Sequence, residues 1–150
     1  MKLSTNFLKE YVDVDVDTKT LAEAMTKAGS EYDSAENLVE ATNLVIGEIK
    51  ECKEHPDSDH LHLCKVDVGN EILDIVCGAP NARAGIKVIV ALPGAELPGG
   101  VKIKAGVIRG EKSNGMMCAL YEIGIDKKFL SEADKNGICE LPENALPGED

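Results

Sequence analysis

The segment His55–Cys64 holds the side chains of this sequence with the clearest capacity for metal chemistry. Three histidines and a cysteine occur there, namely His55, His60, His62 and Cys64. On a strand the last three would share one face and present the nitrogen and sulfur ligands that zinc prefers. Zinc sites usually draw ligands from two separate places, however, and no second Cys/His pair stands at a C-x-x-C spacing. We therefore predict no metal site and interpret Pro56–Asp59 as a turn between two strands.

Catalysis would need a nucleophile or a phosphate-binding loop, and the sequence offers little of either. A nucleophilic thiol would have to come from Cys64, Cys77 or Cys118, paired with one of those histidines. These cysteines stand in apolar, strand-like runs, where thiols are usually inert core groups. Neither G-x-x-x-x-G-K-[ST] nor G-x-G-x-x-G occurs. We predict no catalytic residue in this chain, so a binding module is the default interpretation.

A short basic stretch gives the best indication of what is bound. Over residues 101–112, four cations face one acid, namely Lys102, Lys104, Arg109 and Lys112 against Glu111. The alternation of Val101–Lys104 predicts a strand, in which a bulge at Ala105-Gly106 would turn Ile108 inward and Arg109 outward. The cations would then form a basic strip along one strand, able to contact phosphate. The alternative is an ordinary solvated strand face.

The charge of the whole chain argues the other way until it is divided by segment. The 150 residues include 16 Lys and Arg against 27 Asp and Glu, a formal net charge of −11. Phosphate binding begins with a basic surface. Residues 1–40 carry −5, residues 41–125 carry −2 and residues 126–150 carry −4. Most of the acidity thus lies outside the segment with the basic stretch, where it limits the strength of nucleic-acid binding rather than excluding it.

Composition indicates a globular, cytosolic protein. With 43% hydrophobic and 29% charged residues, the chain is neither a disordered polyelectrolyte nor a membrane protein. No apolar run approaches the roughly 20 residues that cross a bilayer, and Met1–Glu10 lacks the apolar core of a signal peptide. Five irregularly spaced cysteines fit reduced thiols. Only 3% of residues are aromatic, so a stacking platform for single strands is not expected.

The first forty residues differ in architecture from the rest, because they hold one glycine and no proline. We predict helices over Thr5–Tyr11 and Thr18–Gly29, with Asp17 or Thr18 as the N-cap of the second helix and Gly29 as its stop. Between the helices, valines alternate with aspartates over residues 12–17, which predicts at most an edge strand or a linker.

From Asn43 onward, apolar runs recur between turn residues at intervals of roughly ten, as is typical of a small β-barrel or sandwich. The predicted strands are Leu44–Lys53, Leu61–Val68, Glu71–Cys77, Lys87–Leu92, Val101–Arg109 and Met116–Ala119. The two-residue connection Gly69-Asn70 predicts antiparallel pairing of the second and third strands. Val88–Leu92 is apolar throughout, so we expect it to be buried on both faces. We also expect the chain to continue beyond Asp150, because its tail ends without a closing element.

Seven motifs extend over this second part of the chain. They are His55–Leu61, Cys64–Gly69, Ile75–Asn81, Val90–Ala95, Leu97–Gly100, Ile108–Gly110 and Ser113–Cys118. Together they closely resemble the tRNA-binding OB-fold domain, which also occurs in free-standing tRNA-binding proteins and on methionyl-tRNA synthetase. The N-terminal segments Met1–Val12 and Leu21–Gly29 resemble the start of bacterial phenylalanine–tRNA ligase β subunits. The two resemblances cover nearly the whole chain.

The resemblance implies a mainly β fold, with a five-stranded OB-fold barrel over residues 41–148 and a short α-helical N-terminal segment. Residues 1–40 would be the first part of a discontinuous α/β domain completed beyond residue 150. The family enzyme is a cytoplasmic (αβ)₂ heterotetramer that joins phenylalanine to its tRNA with ATP and magnesium. Its catalytic and metal-binding residues lie elsewhere. For this chain the resemblance therefore implies no catalytic residue and no cofactor, with tRNA and the α subunit as partners.

The resemblance also implies where tRNA contacts fall. Carried over by position, they are His55, His60, Lys65, Asn81, Arg83, Lys102, Lys104, Arg109, Lys112, Ser113, Asn114 and Met116. His60 stands where the family usually has lysine, and Ala119 where it has a small polar residue. We expect auxiliary, largely sequence-independent binding of tRNA that rests on a few phosphates. Two alternatives remain open: a purely structural barrel in the same subunit, and a free-standing homodimeric tRNA-binding protein.

Overall fold

The computed structural model describes residues 2–37 and 39–150. In its N-terminal part, polar side chains cap both helices. Ser4 caps helix α1 (Thr5–Lys9), and Asp17 caps helix α2 (Thr18–Lys27) by accepting two backbone N–H bonds. Helix α2 ends where Gly29 takes a φ of +99°, a left-handed conformation that glycine adopts without steric cost. The predicted cap Asp17 and stop Gly29 are thus confirmed, whereas α1 ends before the predicted Tyr11. Residues 12–17 form no strand.

The chain divides into two compact units, of which the first ends at Asn37. Within the described part of this first unit, Ala22 is the one buried hydrophobic residue, while Phe7 and Tyr11 are exposed with ring centroids 5.0 Å apart. None of the helices in the described ranges is long and apolar enough to cross a membrane.

The second unit begins its barrel with four antiparallel strands. These are β1 (Leu44–Glu54), β2 (His62–Asp67), β3 (Ile72–Cys77) and β4 (Lys87–Ala91). They pair in the order β4–β1–β2–β3, and β2 turns into β3 through Gly69-Asn70, as predicted. All four lie within a residue or two of the predicted bounds, because alternation and turn residues mark them strongly.

The predicted strand Val101–Arg109 is wrong. Two residues, β6 (Val101–Lys102), pair with β5 (Glu96–Leu97), and the chain then leaves this pairing before it forms a second hairpin. That hairpin joins β7 (Gly106–Ile108) to β8 (Glu111–Ser113). No bulge turns Ile108 inward, since its side chain is 43% exposed. The basic residues therefore lie on two hairpins and on the connection between them rather than along one strand.

Strand β8 and the next strand, β9 (Met116–Met117), close the barrel between β3 and β4. Strand β9 pairs antiparallel with β4. On the other side, the backbone N–H of Asn114 donates to the carbonyl of Asp74 at 2.7 Å. Counting β8–β9 as one interrupted strand, five antiparallel strands form a nearly closed barrel, which is the OB-fold arrangement.

The chain after the barrel is mostly irregular and returns to β4. It contains 3₁₀ turns over Leu120–Ile123 and Lys127–Phe129, helix α3 (Glu132–Asn136) and strand β10 (Glu140–Leu141). Strand β10 pairs antiparallel with β4. The ammonium of Lys87 then donates to two carbonyls beyond β10, at 2.8 and 2.5 Å, and so fastens this segment to the barrel.

Aliphatic side chains fill the barrel. Its five largest fully buried side chains are Ile49, Ile75, Val66, Val88 and Val90. The run from Val88 is buried as expected: Val88, Val90 and Ala91 are 0% exposed, and the half-buried Ile89 and Leu92 pack against the core clusters. Glycine at position 47 is required by this packing, because a Cβ there would lie 2.6 Å from Val90 and 2.7 Å from Val66.

Candidate nucleic-acid interface

A cleft of about 740 Å³ opens on the barrel beside the end of β3. The β1–β2 loop contributes Leu61, and the long connection between β4 and β8 contributes Lys102–Lys104 and Gly106–Ile108. In OB-folds, ligands bind at strands 2 and 3 and at the loops between strands 1 and 2 and between strands 4 and 5. The cleft therefore lies where OB-folds usually bind oligonucleotides.

Four of the predicted contact residues line this cleft: Lys102, Lys104, Ser113 and Met116. The ammonium of Lys102 lies 3.0 Å from the carboxylate of Glu96. Lys104, Arg109 and Lys112 are exposed, and in the part of the chain that the structure describes none of them forms an ion pair with a carboxylate. Arg109 and Lys112 lie on the β7–β8 hairpin, whose strand residues Val107 and Ile108 line the cleft. Three uncompensated cations thus occupy the cleft and the adjoining hairpin.

Ser113 and Asn114 hold the barrel closed at this edge. The hydroxyl of Ser113 is buried, accepts the backbone N–H of Val76 at 3.1 Å and donates to the carbonyl of Gly115 at 3.3 Å. Asn114 is half-buried and borders a second, smaller cleft. Of this predicted segment, Ser113 and Met116 line the larger cleft. Ser113 therefore acts on the cleft through the position of β8 rather than through a free hydroxyl.

Asn81 and Arg83 bind the C-terminal segment of the unit. The Asn81 amide donates to the carbonyl of Ile138 at 2.9 Å and accepts its N–H at 3.0 Å. Arg83 makes two 2.8 Å bonds to the carboxylate of Glu140. This contact, followed by the Asn81 amide, lowers the pKa of Glu140, and the pKa of Arg83 is raised in return. Both predicted contact residues thus have a structural partner.

Lys65 is also paired, on the exposed side of the β2–β3 ladder. Its ammonium lies 3.0 Å from the carboxylate of Asp74, and that hydrogen bond raises the pKa of Lys65. Because both side chains are about half exposed, solvent screens the pair strongly. Lys65 does not line the cleft, and a phosphate would have to compete with Asp74 for it.

The two predicted histidines of the β1–β2 loop differ in their surroundings. His55 is 3% exposed, and its Nδ1 accepts the backbone N–H of Asp57 at 3.0 Å. It therefore stabilises the loop from inside, while His60 is exposed, with Nε2 3.1 Å from the carboxylate of Asp59. Among the described residues, no three His, Cys, Asp or Glu side chains are grouped so that they could hold a metal ion.

The cysteines are poorly suited to nucleophilic chemistry. Burial raises the pKa of Cys118 to about 12 and also raises the pKa of Cys77. The pKa of Cys64 rises for the same reason, and a contact with Cys52, whose sulfur lies 3.5 Å away, adds to the effect. A thiol that stays protonated is a weak nucleophile. These cysteines fill the barrel.

An aromatic and basic group at the cleft was not predicted from the sequence. Tyr121 and Lys135 line it, and the ammonium of Lys127 lies 4.5 Å from the centroid of the Tyr121 ring. A signal was present: beyond residue 40 the only aromatic residues are Tyr121 and Phe129, and both stand close to Lys127-Lys128. Scarce aromatics next to basic residues are typical of nucleic-acid surfaces.

Fold and cleft together define an OB-fold module of the nucleic-acid-binding class. A solved structure, the MetRS related protein from Pyrococcus horikoshii, shares this fold, with a TM-score of 0.50 and 22% sequence identity over 71% of this chain and 85% of that one. Residues 44–150 match the family described as "Putative tRNA binding domain". The chain therefore belongs to the tRNA-binding domain family.

Curated relatives extend the similarity to the N-terminal unit. Over 100% of its own length, this chain is 48% identical to the phenylalanine–tRNA ligase beta subunit of Streptococcus pneumoniae. Over 99% of its own length, it is 46% identical to that of Lactiplantibacillus plantarum. In both cases it spans 19% of the relative's length. The similarity therefore concerns about a fifth of those proteins.

Proposed function

We propose that this chain is the N-terminal part of a phenylalanine–tRNA ligase β subunit and that its OB-fold module gives auxiliary, largely sequence-independent contact to tRNA. The observation that carries the tRNA contact is a group of three cations at the cleft and its adjoining hairpin. These are Lys104, Arg109 and Lys112, which have no carboxylate partner among the described residues. Such cations gain most from phosphate, because no intramolecular ion pair has to be broken first.

The other parts of this proposal concern the whole enzyme. As an aminoacyl-tRNA synthetase, it would attach phenylalanine to its tRNA with ATP and magnesium, in the cytoplasm, as an (αβ)₂ heterotetramer with the α subunit. We assign ATP and magnesium to other segments of the whole enzyme. Residues 1–40 would belong to a discontinuous α/β domain completed beyond residue 150, and residues 41–148 would form the tRNA-binding domain.

Removal of the unpaired cations tests the tRNA contact. We expect Lys104→Ala combined with Lys112→Ala to weaken binding of phenylalanine-accepting tRNA and to flatten its salt dependence. The slope of log K against log salt should fall by roughly 1.4, at about 0.7 per phosphate contact. The measurement is tRNA affinity by fluorescence anisotropy at several salt concentrations, with far-UV circular dichroism to confirm folding.

The matched control removes the same charge from β1. Lys50→Ala combined with Lys53→Ala takes away two exposed cations that already pair with Glu48 and Glu51 and do not line the cleft. We expect this variant to keep nearly the wild-type slope. Equal slopes for both variants would mean that net charge alone matters. An unchanged slope in the cleft variant would favour a barrel that only supports subunit architecture.

A further inference from the structure

The cleft combines an apolar interior with a basic exterior. Most of its buried lining residues are apolar, among them Ile103, Met117 and Ile138, each at most 8% exposed. The buried hydroxyl of Ser113 also lies in the lining but is already bonded to the backbone. The lysines of the lining are more accessible: Lys102 and Lys104 are exposed, and Lys135 is half-buried. Phosphate is therefore favoured at the outer part of the cleft, where it keeps some of its water.

A carboxylate strengthens this division. Glu122 lines the cleft, and one of its oxygens accepts the backbone N–H of Ala119 at 2.7 Å. Its negative charge also contributes to the raised pKa of Cys118, after burial, so its field extends into the barrel. A phosphate inside the cleft would be both desolvated and repelled. The group that fits inside is uncharged, and contact with a duplex backbone alone would leave the interior unused.

An aromatic ring completes the lining. Tyr121 already has the ammonium of Lys127 at 4.5 Å from its ring centroid, an arrangement in which the ring's electron-rich face attracts a cation. The same ring can stack on a nucleobase, since every base has a flat π-face. The volume of about 740 Å³ lies in the range of sites that take small organic groups.

We propose that the cleft takes one unpaired nucleotide of an RNA chain, with its base against Tyr121 and the apolar interior and its phosphate against Lys104. This inference rests on the proposed function and adds to it the kind of RNA feature recognised: an unstacked loop or bulge nucleotide rather than a paired stem. Recognition of RNA through splayed-out bases and aromatic stacking is physically favoured, because the bases in an A-form stem are hard to reach.

The experiment compares two RNA probes with the whole chain. One is a short duplex with a single bulged 2-aminopurine, and the other is the same duplex without the bulge. We expect the bulged duplex to bind about tenfold more tightly, a typical effect of stacking one base, and its 2-aminopurine fluorescence to be quenched on binding. Tyr121→Leu should abolish the preference and the quenching, whereas Tyr121→Phe should keep both.

A control removes an aromatic side chain outside the cleft. Phe129 is 75% exposed and lies beside Lys128, but it does not line the cleft, so Phe129→Leu should behave as the wild type. Equal binding of the two duplexes by the wild type would overturn the inference without any variant, as would unchanged preference in a folded Tyr121→Leu. Quenching of free 2-aminopurine nucleotide at equal strength would overturn the RNA assignment. In each case, weaker tRNA binding by the variant that combines Lys104→Ala with Lys112→Ala would still support the proposed function. Unchanged tRNA binding by that variant would reject the proposed function independently of this inference.

Discussion

The β7–β8 hairpin turns through two residues that both have positive φ, Arg109 at +47° and Gly110 at +86°. Two-residue hairpins of this kind favour Asn or Asp at the first position and Gly at the second. An arginine in the left-handed region costs roughly 1–2 kcal/mol relative to residues that tolerate it. Arg109 is exposed and makes no ion pair within the described chain, so nothing in this unit repays the strain. We predict that this exposed arginine contributes by contact with tRNA phosphate.

Arg109→Asn should therefore stabilise the protein while weakening tRNA binding. Relief of about half the strain would add ~0.5–1 kcal/mol to the free energy of unfolding, a rise in Tm of roughly 1–4 °C for a chain of this size. Loss of one phosphate contact should reduce the salt slope of tRNA affinity by about 0.7–0.9. Thermal unfolding followed by circular dichroism and salt-dependent anisotropy measure the two effects.

The control is Lys112→Asn, on the extended strand β8 of the same hairpin. It removes the same charge without relieving strain, and asparagine is unfavourable in strands, so Tm should stay level or fall while the salt slope decreases similarly. If Arg109→Asn melts no higher than the wild type, the strain argument is wrong. If it melts higher but binds tRNA with the same salt slope, Arg109 does not contact tRNA phosphate.

Gly47→Ala should destabilise the barrel by about 1–3 kcal/mol through overpacking, as measured by urea unfolding, whereas Gly106→Ala should be nearly neutral because nothing lies within 4 Å of its added Cβ; equal effects would contradict the packing argument. The Arg83 contact lowers the pKa of Glu140. The stability that this pair contributes is therefore fully present above the pKa of Glu140 in the unfolded chain, about 4.3, and is lost as the pH falls through the pKa of Glu140 in the folded chain. The Tm of Arg83→Ala should therefore fall less than that of the wild type when the pH is lowered below about 4.5. Parallel curves of Tm against pH would exclude this linkage. His60→Lys, which restores the lysine usual in the family, should tighten tRNA binding severalfold at low salt; unchanged affinity would place the β1–β2 loop outside the interface.

The sequence predicted the regular strands well because local signals coincide with the tertiary structure there. Strands β1 to β4 alternate or run apolar between turn residues, and Gly69-Asn70 marks a hairpin by itself. The prediction for the connection after β4 failed because local signals and tertiary structure disagree there. Val101–Lys104 alternates like a strand, but the backbone of Ile103 bonds to Ala95 and Gly94, and these partners, not the alternation, determine where the chain turns away.

The cleft was less predictable than the fold because its lining comes from separate stretches of sequence. The basic stretch indicated Lys102 and Lys104, and a motif indicated Met116. Residue type and position alone could not distinguish an accessible side chain from one that already has a partner within the protein. Asn81 occurs in a motif and binds the Ile138 backbone. Tyr121 lies next to another motif and lines the cleft. Only the hydrogen bonds and burial of each residue distinguish these two situations.

The net charge of −11 is compatible with an RNA surface because acids and bases are unequally paired. In the barrel unit, Lys65, Arg83 and Lys102 each lie within 3.0 Å of a carboxylate, so their charge is largely neutralised locally. The described cations without such a partner include Lys104, Arg109 and Lys112, which occupy the cleft and its adjoining hairpin. At physiological salt the Debye length is about 8 Å, so a phosphate there experiences mainly the charges within that distance and little of the more distant acids. At low salt that screening weakens, and the repulsion from the whole chain should offset part of the local attraction. The salt slope of tRNA binding by this chain should therefore be shallower than the number of its phosphate contacts alone predicts.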